Sequence, residues 1–153
     1  MKHTFTIVIE KDIPISLNSI STVFYVKLDE YCFPSHGWTD LSYNVLMMWI
    51  AEVFRNNPAS QKRTLYFMDG PYSIEIIKKS TDSLVLRCVH QNICTYEGTC
   101  RCVDFLGGLV TGLTDFLKIV KNEYLNNPQF RSVVQDVECA VSQVQLELRR
   151  LGQ

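Results

Sequence analysis

The first described pattern in the chain is an alternation. Phe5, Ile7 and Ile9 fall on one side and Thr4, Thr6 and Val8 on the other, the period of two that a strand requires. Pro14 and the polar pair Asn18-Ser19 break it. Residues 21–28, rich in β-branched and aromatic side chains, predict a second strand that pairs with the first across a longer loop. Residues 29–37 read as irregular, with Pro34 and Gly37 as breakers.

The period then changes. Leu41, Val45, Met48, Trp49 and Val53 recur at helical spacing, and Met47, Ile50 and Phe54 add a second apolar edge, so this helix is expected to be buried on most sides. Thr39 or Asp40 stands where a side chain can cap its first free amides, and Asn56-Asn57-Pro58 ends it. Four more strands are predicted at 62–68, 72–79, 84–90 and 93–102, the last interrupted by Gly98. Their links are short and polar, with Asp69-Gly70-Pro71 the clearest turn, so antiparallel neighbours are expected.

The last third carries two apolar stripes. Leu106, Leu109, Val110, Leu113, Leu117, Val120 and Tyr124 form one helix face, with Asp104 as its expected cap. Gly107, Gly108 and Gly112 each weaken that helix by about 1 kcal/mol against Ala, which points to close approach by a neighbour. Asn127-Pro128 opens a final helix striped by Phe130, Val133, Val134, Val137, Val141, Val144, Leu148 and Leu151. The expected architecture is α+β: an antiparallel β-meander sheet of about five to six strands packed against three α-helices, in a single domain over residues 1–153.

Composition narrows the function. With 46% hydrophobic and 20% charged residues the chain is globular, and a net charge of -1 carries no footprint for nucleic acid or an anionic membrane. Nothing at the N-terminus reads as a signal segment, so the six cysteines are expected to be free thiols in a reducing, cytoplasmic setting. Their positions, 32, 88, 94, 100, 102 and 139, lack the doubled close pairs of a zinc site, and neither a metal nor a cofactor is expected. Cys88 and His90 are two apart on one strand, the best available nucleophile and base, but the bland alternative is a buried thiol and a solvated histidine. No nucleophile elbow or phosphate-binding glycine loop is present, and no catalytic residue is assigned.

Two segments stand out together. Trp38-Thr39-Asp40-Leu41 leads to Trp49, and Asp69-Gly70-Pro71-Tyr72 follows a strand and precedes another. Across residues 36–90 this resembles the small bacterial immunity proteins that neutralise the toxin domains of contact-dependent growth inhibition and other polymorphic toxin systems. The resemblance implies a non-enzymatic toxin inhibitor whose partner is one cognate toxin domain, commonly a nuclease, occluded by protein–protein interaction. Trp38, Asp40, Asp69 and Tyr72 match the pattern, and each also has an architectural reading: packing beside the helix start, capping and hairpin shape. A nuclease with a basic cleft favours carboxylates beside aromatic anchors. That selects Asp29, Glu30, Asp69, Glu75 and Glu97, with Tyr31, Tyr72 and Tyr96 near them in sequence, as the expected toxin-binding residues. The alternative function is a non-enzymatic interaction protein or a homo-oligomeric structural protein joined through the final helix.

Overall fold

The computed structural model describes residues 2–12, 15–56 and 62–152. Three helices and two four-stranded antiparallel sheets give an α+β fold. In the first sheet, β1 (Phe5–Glu10) pairs along one edge of β2 (Ser21–Leu28) in the register Phe5 opposite Leu28. The other edge of β2 is shared by β3 (Tyr31–Phe33) at one end and β4 (Thr39–Leu41) at the other. After helix α1 (Ser42–Val53), the second sheet is a meander of β5 (Lys62–Tyr66), β6 (Tyr72–Lys78), β7 (Ser83–His90) and β8 (Ile93–Arg101). Helix α2 (Cys102–Asn126), a 3-10 turn at Pro128–Phe130 and helix α3 (Arg131–Leu151) complete the chain.

The predicted meander is therefore the second sheet alone, and the first sheet is separate from it. β3 and β4 occupy a stretch that reads as irregular or as the helix start. Strands of three residues show no alternation; here pairing with β2 defines them. The breaks expected at Pro14 and at Asn57-Pro58 lie outside the described residues, and α1 itself ends at Val53.

One hydrophobic cluster runs through both sheets and all three helices. Its centre is aromatic: Phe24 of β2 and Trp49 of α1 meet at 5.3 Å, Trp49 and Phe67 at 5.3 Å, and Phe33 of β3 and Phe67 at 5.7 Å. Trp49 is 1% exposed, and its indole N–H donates to the Tyr66 carbonyl at 2.8 Å, so the cluster contains no orphaned donor there. Two of the three glycines of α2 allow the close approach expected of them, whereas Gly107 has nothing within 4 Å. A Cβ on Gly108 would stand 2.6 Å from the Phe5 ring, and one on Gly112 would stand 2.9 Å from Ile7, so α2 lies directly against β1. The stripe of α3 is buried against the rest of the chain at Val133, Val134, Val137 and Val144, with Val141, Leu148 and Leu151 partly buried against the same cluster. No helix among the described residues is long and apolar enough to cross a membrane.

The two sheets touch at an edge. The His3 amide donates to the Thr99 carbonyl at 2.6 Å, the Thr99 amide donates to His3 Nδ1 at 3.2 Å, and the ring lies over Gly98 in the space a side chain would fill. The glycine that interrupts the strand pattern thus lets the chain start cross β8.

Candidate functional site

Asp40 organises one end of the molecule. Rather than capping α1, whose first turn has no side-chain cap, it sits in β4 at 3% exposure. Its carboxylate accepts from the Leu41 amide at 2.7 Å, from the Met68 and Asp69 amides at 3.2 Å each, and from Trp38 Nε1 at 3.3 Å. The buried charge is compensated by four N–H donors. They tie the approach to α1 to the turn between β5 and β6. The W-x-D spacing has a physical cause: two residues apart on an extended strand, Trp38 and Asp40 share a face and bond to each other.

An aromatic row extends from this point. Trp38 packs edge-on to Tyr72 at 5.0 Å, and Tyr72 stacks on His90 at 4.3 Å with planes 7° apart. Tyr72 also meets Phe33 at 5.7 Å; Phe33 meets Tyr31 at 6.5 Å; and Tyr31 stacks on Tyr96 at 4.3 Å, 10° from parallel. The Tyr31 hydroxyl bonds to Thr95 Oγ1 at 3.0 Å. Turns frame the row. Among the described residues every positive φ, at Asp29, Gly37, Gly70, Gln91 and Asn92, lies in one of them, so their shapes are fixed rather than slack. The Gln91 amide bonds to the Pro71 carbonyl at 3.1 Å, which holds two hairpin tips side by side.

Of the eight residues selected from sequence, six belong to this row or its rim. Tyr31, Tyr72 and Tyr96 are in the row, half-buried; Asp29, Glu30 and Asp69 are exposed in the flanking turns. The Thr4 amide and hydroxyl bond to Asp29 at 2.9 and 3.0 Å, and these, with the nearby His3, hold its carboxyl below the usual carboxylate range. Glu30 makes no side-chain bond among the described residues. The other two are committed elsewhere. Glu75 lies on the outer face of the second sheet, its side chain 16% exposed, between Lys62 at 3.1 Å and Arg87 at 2.6 Å. Glu97 completes the same cross-strand row at 3.3 Å from Arg87. Glu75 is thereby neutralised and half hidden. Two exposed apolar residues join the rim instead, Met68 at 46% and Ile93 at 67%, each flanking a hairpin tip. Their signal in sequence is an apolar residue directly beside turn residues.

Cys88 and His90, the candidate nucleophile and base, share no hydrogen bond among the described residues. Cys88 is fully buried, and burial together with nearby Cys94 pushes its thiol up to about 12. Burial pushes Cys100 up to about 11, with Asp104 adding to it. Thiols held protonated in this way are poor nucleophiles. His90 is occupied by its stack on Tyr72. All six cysteines are free, and among the described residues no group of three His, Cys, Asp or Glu side chains could hold a metal ion.

Against known proteins, no family model, no curated protein and no solved structure matches this chain.

Proposed function

We propose that this chain is an immunity protein: a non-enzymatic inhibitor that binds a cognate bacterial toxin domain, a nuclease in the first instance, and occludes it. The observation that carries the reading is the gathering of Asp29, Glu30 and Asp69 around the aromatic row from Trp38 to Tyr96, with Met68 and Ile93 exposed beside them. Rigid half-buried aromatics with an anionic rim suit a basic catalytic cleft: the aromatics supply contact area and the carboxylates supply steering and register. The W-x-D and D-G-P-Y segments that resemble immunity proteins are the same residues that build this end.

The test is to read the adjacent upstream coding sequence for a C-terminal toxin domain and to co-express that domain with this chain. Protection of the cell and a one-to-one complex are expected. A toxin that stays lethal beside the folded chain, with no complex by size-exclusion chromatography, overturns the reading.

A further inference from the structure

At the opposite end of the second sheet the inner face breaks its own pattern. Residues 65, 67, 74, 76, 84, 86 and 88 point toward the helices and are apolar and buried, but the same face ends in Arg63 and Lys78. Between them and the ends of α1, α2 and α3 lies a groove of about 760 Å³, within the size range of small-molecule sites. Its floor is Ile76, Leu84, Phe105, Leu106 and Leu151; its cationic rim is Arg55, Arg63, Lys78 and Arg150.

The charges there do not cancel. Glu147 is taken at both oxygens by Arg150, and Glu52 at both oxygens by Arg55. The Arg63 guanidinium donates to the Glu52 carbonyl at 2.7 Å, a neutral acceptor, and Lys78 has no side-chain hydrogen bond or ion pair among the described residues. Arg150, with nearby Lys78 adding to it, holds the Glu147 carboxyl below the usual range, but Arg150 takes both oxygens of that carboxylate, so neither Arg63 nor Lys78 has an ion pair among the described residues. Cations at inward-facing positions disfavour packing, and departures of this kind from a consistent pattern concentrate at binding sites.

We propose that this groove binds a small amphiphilic carboxylate, its chain along the apolar floor and its head group between Arg63 and Lys78. The site lies away from the toxin-facing end and does not depend on that reading.

Decanoate below its micellar concentration is the probe, followed by NMR chemical shifts of the whole chain. Saturable one-to-one shifts confined to the floor residues are expected, with decanoate binding about tenfold tighter than decyl maltoside, the scale of one hydrogen bond to a charged group. Arg63→Gln with Lys78→Gln should erase that preference and leave decyl maltoside binding unchanged. If that variant does not fold, Glu147→Gln, which removes the groove's own carboxylate, should tighten decanoate instead. The proposal is overturned by shifts that do not saturate or that map elsewhere, or by a preference for decanoate that survives the charge changes. Tighter binding of a glutamate-rich peptide on the same residues overturns the choice of occupant.

Discussion

Replacing Asp40 by alanine withdraws the acceptor from four N–H groups at once. A buried donor left without a partner costs about 1–3 kcal/mol. The four are not equal. Met68 and Asp69 are exposed residues, so water can reach their amides after a small opening of the turn. The Leu41 amide and the Trp38 indole, at half-buried residues, are harder to resolvate. Counting those two in full and the turn amides at a fraction gives a loss of about 3 kcal/mol. That is a large part of the stability of a domain this size. With a urea dependence of about 2 kcal/mol per molar, the midpoint should fall by about 1.5 M. Asp40→Asn keeps the shape and one carbonyl oxygen but places an NH₂ group against a donor, and should lose about half as much. The assay is urea unfolding followed by tryptophan fluorescence and far-UV circular dichroism, paired with amide exchange. Exchange should speed up at Met68 and Asp69 before it does at Val26 in the centre of β2. An alanine variant within about 0.5 kcal/mol of wild type, the range of ordinary surface substitutions, would refute the assignment of Asp40 as the tie between β4 and the hairpin.

Adjacent glycines in α2 should respond in opposite directions. Gly107→Ala meets nothing within 4 Å and should raise stability by about 0.5–1 kcal/mol, whereas Gly108→Ala drives a methyl into Phe5 and should cost about 1–3 kcal/mol net of helix propensity, both read as shifts in Tm. Iodoacetamide applied to the native protein at pH 8 should alkylate exposed Cys139 and leave Cys88 and Cys100 unmodified by mass spectrometry; labelling of Cys88 at the rate of Cys139 would contradict its burial. Burial and the hydrogen bond to Asp136 push Tyr43 up to about 12. The folded state therefore keeps a proton that the unfolded chain releases near 10, so this contribution is whole below pH 10 and is lost as pH rises toward 12. Tyr43→Phe should flatten the fall in stability over that window.

Legibility followed the length of the pattern. The strand at Ser21–Leu28 can be read from sequence because its run of β-branched and aromatic residues is eight long, and the stripe of α3 because it repeats one period over 21 residues. β3 and β4 cannot, because their pairing with β2 depends on contacts distant in sequence. The starts of α1 and α2 are displaced for a related reason. Asp40 and Asp104 look like caps, but Asp40 is drawn to the amides of a distant turn, and Asp104 lies within the first turn of α2, paired with Arg101 at 2.8 Å. At the candidate site, neighbours in sequence such as Asp29, Glu30 and Tyr31 stay together in space. Glu75 leaves the group because strand alternation turns it to the outer face, where Arg87 stands opposite in register and Lys62 reaches it from a diagonal position on β5. Sequence proximity to Tyr72 carries no information about that face.

The distinction between structural and partner-facing acids shapes the kinetic test of the proposed inhibitor. Asp29 holds Thr4 from a left-handed backbone position at φ 53°, so Asp29→Lys disturbs the turn as well as the field. Glu30 is exposed and has no side-chain partner among the described residues, so Glu30→Lys changes charge alone. Electrostatic steering acts on association, and charge at an interface rim changes the on-rate more than the off-rate. With a basic toxin domain, the double reversal should slow association about tenfold at low salt, with Glu30→Lys alone giving roughly half of that on a logarithmic scale. The difference should shrink as ionic strength rises, because the Debye length falls from about 10 Å at 0.1 M to about 3 Å at 1 M. An effect of Asp29→Lys that persists at high salt would be the turn's contribution, read separately by its stability. Stopped-flow rates that Glu30→Lys leaves unchanged at low salt, in a variant that folds and still forms the complex, would move the contact face away from this turn.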